Sequence, residues 1–334
     1  MRIFGHLLER DLSRVFWHAL IISVLIKLIL SILIPITSDE AYFALWGRYL
    51  DFGYYDHPPM IGWILYLMQK LSSNTLIIRL PAVLFSTFIG IGIYNLLKNI
   101  DKQKAALIAA LYIVSPINML NIIITTDAPL ILFSFLSVIS LYKAMQKQSY
   151  GLYLICGVFL GLAFLSKYFA GLLGFSYLFY FVFSEKNKKK TIGFAILFAS
   201  IIPFVILNLY WNWNNMWANI MFNMVNRSVS DGVFKISKGL VFLACQFYLI
   251  TPPIFYYAIK NRSKWKTIIK TNKDFAIFSF ALIVPITIFA LISFKQIVGL
   301  HWALSFYPFM YILLFLLLTQ KEIIKSVKFM IIFL

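Results

Sequence analysis

The chain has 334 residues, of which 61% are hydrophobic and only 13% charged, and its formal net charge is +18. A soluble domain carries about 25% charged residues, so the polar shell of a soluble globule is missing and the chain reads as membrane-embedded. The basic excess does not indicate nucleic acid, because Lys and Arg fall in short clusters between long apolar runs, as in cytoplasmic loops.

Taken in order, the apolar runs predict ten crossings, at about 15–36, 78–97, 105–124, 128–143, 150–166, 168–184, 191–209, 240–259, 275–294 and 303–319, each near the roughly 20 residues that cross a bilayer. No small-residue cleavage site follows the first run, so it reads as a span and not as a removed signal peptide. Cys156 and Cys245 both lie in apolar stretches and form no CxxC pair; they read as small buried hydrophobes. No internal repeat or low-complexity linker divides the chain, so 1–334 is read as one all-α, polytopic membrane domain.

Ten crossings from a cytoplasmic N-terminus place 21 of the 30 basic residues on the cytoplasmic side and 8 on the other, with Lys27 inside the first span. This asymmetry obeys the positive-inside rule. Six of the twelve acids, Asp39, Glu40, Asp51, Asp56, Asp127 and Asp231, fall on the outer side. Acids at a membrane edge are costly and are functional candidates.

The first outer loop holds most of them. Residues 37–50 predict an interfacial helix, with Asp39, Tyr42, Phe43, Trp46, Tyr49 and Leu50 along one stripe. Asp51-Phe52-Gly53 ends it. Tyr54-Tyr55-Asp56-His57-Pro58-Pro59 is extended, because a residue before proline is pushed from the helical region. Met60 to Leu71 is helical again but too short to span. Two readings of Asp39-Glu40 stay open at this point: Thr37 and Glu40 fit the T-x-x-E capping box, and either acid could serve a reaction. Asp127-Ala128-Pro129 likewise fits an ordinary helix start with Asp as cap. Lys167, in a tight hairpin between two short spans, is either a headgroup-seeking lysine or a site cation. Arg48 reads as an interface anchor. Tyr210, Trp211, Trp213 and Trp217, interleaved with Asn208, Asn212, Asn214 and Asn215, read equally as a sugar-stacking surface or an aromatic belt. Val327 to Leu334 opens another apolar run and stops, which reads as a half-inserted tail or as a truncated member of something longer.

Asp39-Glu40-Ala41-Tyr42 followed by Tyr55-Asp56-His57-Pro58-Pro59-Met60 resembles bacterial membrane glycosyltransferases of the protein-O-mannosyltransferase-like superfamily. These are GT-C enzymes, which include the lipid A aminoarabinose transferases. Thr126-Asp127-Ala128-Pro129-Leu130, Gly161 to Tyr168 (GLAFLSKY), Trp211-Asn212 and His301-Trp302-Ala303 resemble further family motifs in family order, with Ala303 where the family has proline. Together they cover roughly 37–310.

The resemblance implies a GT-C-like fold and a polyprenyl-phosphate sugar donor. Its sugar would pass to an acceptor hydroxyl on a glycan, lipid or protein at the periplasmic face of a bacterial inner membrane. It implies Asp39 as the base that takes the acceptor proton. Glu40, Asp56, His57, Asp127, Lys167, Tyr168, Arg227 and His301 would be substrate-binding residues. Lys167 is then the favoured phosphate ligand, with Arg227 and Lys295 as alternatives. No structural metal is expected, and a divalent ion near Asp56 is compatible with the resemblance without being required. Competing readings are a flippase for lipid-linked sugars, whose polar groups would instead sit at mid-membrane in broken helices, and a non-catalytic remnant.

The charge count makes the topology testable. A reporter fused at Lys188 is expected to read cytoplasmic and one at Asp51 periplasmic; both on one side would overturn the arrangement.

Overall fold

A computed structural model describes residues 12–225, 234–265, 267, 271 and 273–333. All regular elements among them are helical. In chain order the helices are α1 (Leu12–Leu33), α2 (Ser38–Arg48), α3 (Met60–Leu71), α4 (Thr75–Leu97), α5 (Lys102–Ile113), α6 (Pro116–Met119), α7 (Asp127–Lys147), α8 (Tyr150–Ser166), α9 (Ala170–Phe183), α10 (Lys188–Asn214), α11 (Ala218–Met224), α12 (Ile236–Ile250), α13 (Pro252–Lys260), α14 (Ala276–Ser293), α15 (Tyr307–Leu317) and α16 (Gln320–Phe333).

Each of the ten sequence-predicted spans contains a helix, and the protein is an all-α membrane bundle. Among the described residues five helices are long and apolar enough to cross a bilayer: α1, α4, α7, α10 and the run Lys273–Ser293 that includes α14. Three shorter helices, α8, α9 and α15, are also apolar. Two predicted spans are not straight. The stretch 105–124 stops at Ile113 and restarts as the single turn α6, because Ser115 precedes Pro116 and leaves the helical region, φ −85° and ψ 152°. The stretch 240–259 bends by 93° between α12 and α13. There Thr251, ahead of Pro252-Pro253, adopts φ 69° and ψ 146°.

Burial explains why α5 is so short. Ala105 to Ile113 are all at most 1% exposed, so α5 is surrounded by protein rather than lipid. A helix apolar on every side belongs in such a core. By contrast α1 shows Ile21, Ile22, Leu25, Ile26, Ile29 and Ile32 on its outside, the lipid face of a peripheral span. Its inner face carries Lys27, which is 1% exposed. Lys27 Nζ donates to Ser86 Oγ at 2.8 Å and to Asn118 Oδ1, and Asn118 Nδ2 donates to Ser86 O at 3.2 Å. A charge within a membrane span faces the bundle and finds partners there; these fasten α1, α4 and α6 together.

Small residues set the closest helix approach. A Cβ on Gly157 of α8 would stand 1.9 Å from Ser200 Oγ and 2.2 Å from the Leu197 carbonyl oxygen of α10. Without a hydrophobic drive between helices in lipid, such close backbone packing is a main source of association. Gly157→Ala is therefore expected to destabilise by about 1–3 kcal/mol, as overpacking does. Gly171→Ala on α9, where a Cβ meets nothing within 4 Å, is expected to be neutral. Thermal unfolding in detergent reads both.

One set of helix ends comes together: the start of α4 and α7, the ends of α1, α8, α10 and α14, and the loop that carries α2 and α3. The candidate site lies at this end. The opposite end carries the basic clusters.

Candidate active site

The start of α2 is built on one carboxylate. Thr37 caps the helix, accepting Glu40 N at Oγ1, 3.3 Å, while Glu40 Oε2 accepts Thr37 N at 3.0 Å. The capping reading of the sequence therefore applies to Glu40. The same carboxylate takes a two-pronged bond from Arg79 in the first turns of α4: Nε to Oε1 at 2.7 Å and Nη2 to Oε2 at 2.6 Å. Arg79 spends its other donors on the carbonyls of Ser31, Ile34 and Pro35 at the end of α1, at 3.1, 2.7 and 2.9 Å. Ile124 N, in the loop before α7, donates to Glu40 Oε1 at 3.1 Å. Both side chains of the pair are fully buried.

This corrects one expectation. Glu40 does not face a substrate, because the capped helix start points it inward to Arg79. Burial alone would raise its pKa, but the hydrogen bonds from Arg79, Thr37 and Ile124 and the guanidinium charge together hold it below the usual carboxylate range. Asp39, one position earlier and about 100° around the helix, is exposed. The two neighbouring acids thus divide: one is locked inside and the other is open. Arg79 was counted in the sequence only as an outer cation. The signal that marks it is an arginine set in the apolar run Leu76-Ile77-Ile78-Arg79-Leu80-Pro81, where a charge requires a buried partner.

A second cluster joins three distant segments. Lys167, between α8 and α9, donates from Nζ to Asp127 Oδ1 and Oδ2, both at 2.9 Å. His301 Nε2 lies 3.9 Å from Asp127 Oδ2. Asp127 is not the helix cap, since Thr126 occupies that position and makes no side-chain cap bond; the Asp127 carboxylate turns instead toward Lys167. Lys167 is 4% exposed, so it does not reach for the headgroups. Its ammonium also lies 5.1 Å from the centre of the Phe169 ring. The His301 side chain is half exposed at 52% and forms the open edge of the cluster. Tyr168 OH donates to Asn208 Oδ1 at 3.0 Å, so this tyrosine braces α10 against the hairpin.

The third group lies between α2 and α3, where residues 54–57 bend back, Tyr54 N donating to His57 O at 3.1 Å, instead of running extended as expected. Tyr42 OH donates to Asp56 Oδ1 at 3.1 Å, and His57 Nε2 stands 4.0 Å from Asp56 Oδ2. Burial first, and Asp56 second, push the Tyr42 phenol up to about 12. Asn219 Nδ2 holds Tyr54 O at 2.6 Å and Asn223 Nδ2 holds Asp56 O at 2.8 Å, so α11 clamps this stretch by its backbone. Tyr54 is stacked on Trp46 with ring centres 4.2 Å apart. The Asn-rich run has internal work: Asn212, Asn214 and Asn215 donate to the carbonyls of Asn208, Tyr210 and Trp211. Trp213 and Tyr210 are exposed at 73% and 66%, which favours an aromatic belt for those two over a sugar pocket. Lys295 is exposed, with its carbonyl accepting Lys238 Nζ. Arg227 lies outside the described residues. Among the described residues no group of three or more His, Cys, Asp and Glu surrounds a point where an ion could sit. Asp56 and His57 alone offer fewer than the three protein ligands of a catalytic zinc site.

Comparison with known proteins gives matches in sequence and in fold. Residues 56–211 match the family described as dolichyl-phosphate-mannose-protein mannosyltransferase. The chain is 27% identical over 224 residues to the lipid A galacturonosyltransferase RgtD of Rhizobium johnstonii, covering 65% of this chain and 47% of that protein. It is 22% identical over 250 residues to the lipopolysaccharide core galacturonosyltransferase RgtA of the same organism, covering 71% and 50%. The fold is shared with apo ArnT from Cupriavidus metallidurans at a TM-score of 0.63 and 16% identity, over 92% of this chain and 61% of that one. The chain is thus similar in sequence to membrane glycosyltransferases over part of its length, and it shares the fold of ArnT. It spans about half the length of the curated relatives it matches. Asp56, His57, Asp127, Lys167 and Tyr168 fall inside the matched family segment, while Asp39 and His301 flank it.

Glu40 and Arg79 are expected to be structural. Glu40→Ala strands a buried guanidinium and should cost about 3–5 kcal/mol. The double change Glu40→Met/Arg79→Met should recover much of that loss. The lowered pKa adds a pH signature. Glu40's contribution is present above its unfolded carboxylate range and is lost as pH falls through the still lower folded value. Wild-type thermal stability should therefore show an acid loss that the double variant lacks.

Proposed function

We propose that the chain is the membrane core of a glycosyltransferase that moves a sugar from a polyprenyl-phosphate donor to an acceptor hydroxyl. Its Asp39 would open to the periplasmic side of a bacterial inner membrane. The observation that carries the reading is the division of the acid pair. Glu40 is consumed by the fold, and Asp39 is presented from the same helical turn, rigidly based and exposed. An acid so placed suits proton acceptance: the acceptor oxygen bonds to the anomeric carbon, its proton passes to Asp39, and the bond from that carbon to the phosphate oxygen breaks. Polyprenyl phosphate leaves with the electron pair.

The Asp127–Lys167–His301 cluster suits the leaving phosphate. Lys167 is held in place by Asp127 rather than by solvent, so an approaching phosphate finds a cation already oriented. Preorganised charge of this kind acts where negative charge grows. Asp56 and His57, clamped by α11, are proposed to face the sugar. The names of RgtD and RgtA make a uronic acid the first donor sugar to test, and a lipid-borne glycan the first acceptor. The acidic clusters at Asp56 and Asp127 gather at one end of the bundle, while the mid-span group of Lys27, Ser86 and Asn118 is fully buried as a helix fastening, which supports this reading over a flippase.

The test is transfer from a polyprenyl-phosphate uronic acid by purified chain matched for folding. Asp39→Asn keeps shape and charge-free polarity but cannot accept the proton. It is expected to lower turnover by about 10²- to 10⁴-fold, the usual reach of general-base catalysis, with unchanged unfolding temperature. Full activity in Asp39→Asn would place the base elsewhere.

A further inference from the structure

At the end of the bundle away from Asp127, five helices leave a pocket. It lies between the ends of α7 and α9 and the starts of α8, α10 and the turn that leads into α14. Its volume is about 440 Å³, and Tyr153, Tyr180, Phe280, Lys189, Lys190 and Lys273 are among the residues that line it. Its chemistry changes from one side to the other. The rim is basic, with Lys189, Lys190 and Lys273 against Glu185 and Asp274. The wall toward the outside is aromatic: Phe183 lies parallel to Phe280 with centres 6.4 Å apart and to Phe179 at 6.3 Å.

The cations are held in position. Lys190 Nζ donates to Ser184 Oγ at 2.5 Å and to Glu185 O at 3.2 Å, and stands 4.5 Å over the Tyr180 ring. Lys273 reaches Glu185 Oε1 at 2.6 Å, and both partners are largely exposed. The carboxyl of Glu185 is held below its usual range chiefly by that hydrogen bond. An exposed pair of this kind is weak, so a stronger anion can take Lys273 from it. Phe179, Val182 and Phe183 are 46%, 59% and 72% exposed on the outside of α9, where a membrane protein meets hydrocarbon.

We propose that this pocket binds the phosphate headgroup of an acidic phospholipid, with the acyl chains lying along Phe179, Val182 and Phe183. A soluble phosphate compound would match the lysines but not the exposed aromatic ladder that runs directly from them. A neutral lipid would match the ladder but leave the lysine rim unanswered. A basic pocket between transmembrane helix ends is a recognised lodging for anionic headgroups. The bound lipid would add one more contact across the ends of helices already packed through Tyr142, Tyr153, Tyr180 and Phe194. It stands apart from the Asp127 cluster at the other end of the same helices, so it holds whether or not the chain transfers sugar.

The experiment is native mass spectrometry of the purified full chain titrated with phosphatidylglycerol, phosphatidylcholine or inorganic phosphate. Wild type is expected to retain phosphatidylglycerol in preference to phosphatidylcholine, and millimolar phosphate should leave that adduct in place. Lys189→Gln/Lys273→Gln, at two exposed positions that the bundle does not need, is expected to weaken phosphatidylglycerol by about five-fold per lysine, or about 25-fold for the pair. Phosphatidylcholine binding should not change. Equal binding of the two lipids, or unchanged phosphatidylglycerol binding in the double variant, would overturn the proposal. Displacement of phosphatidylglycerol by millimolar phosphate would also overturn it and assign the pocket to a soluble ligand.

Discussion

A guanidinium cannot stay buried in an apolar bundle without acceptors for all its protons, and meeting that demand organises the site end of this protein. Arg79 meets it with one carboxylate and three backbone carbonyls. The carbonyls are those left without helical partners where α1 ends. The carboxylate belongs to the first turn of α2, and its own remaining lone pairs take the backbone of Thr37 and Ile124. One ion pair thereby fixes four chain segments: the end of α1, the start of α2, the start of α4 and the loop that delivers α7. A buried pair of this sort contributes little net stability compared with apolar replacements. Its effect is to fix geometry, because only one arrangement of the four segments satisfies every donor.

The reactive candidates sit one step outward from this anchor. Asp39 adjoins Glu40, and Asp127 follows Ile124 by three residues. Both positions inherit their placement from the same carboxylate. Farther out, Lys167 and His301 come to Asp127 from α8 and from the turn before α15, so the second cluster depends on the correct stacking of helices that the glycines of α8 allow. The site is therefore layered, with a dry ionic base, a second buried ion pair beside it and an exposed histidine and aspartate at the opening.

Much of this was legible in the sequence, and the reasons differ from part to part. Spans are written in runs of apolar residues long enough to be unambiguous, so α1, α4, α7, α8, α10 and α14 fall within a few residues of their expected places. The break after Ile113 and the bend at Thr251 were missed because hydropathy is blind to local backbone geometry. The signals, Ser115-Pro116 and Thr251-Pro252-Pro253, were present all the same. The capping box was readable at Thr37 and Glu40, since it needs only four consecutive residues. The partnership of Glu40 with Arg79 was not readable, as it joins positions 39 residues apart through a fold that only three-dimensional packing creates. The same holds for Asp127 with Lys167. Each was singled out for itself, yet their charges are spent first on each other, so neither is the open group that its chain position suggests. The Asn-rich run misleads for a related reason. Amides beside tryptophans look like a sugar surface, but on a helix they find the carbonyl four residues back.

The clamp on residues 54–56 carries a consequence for divergence. Asn219 and Asn223 hold the carbonyl oxygens of Tyr54 and Asp56 rather than their side chains. A loop gripped by its main chain keeps its path whatever its side chains become. Positions 55, 56 and 57 are then free to be rewritten singly, each change altering what the opening presents without first unmaking the loop. A lineage could change what the opening presents through such substitutions while remaining folded at every step, with the two asparagines, far off in sequence, acting as the fixed frame.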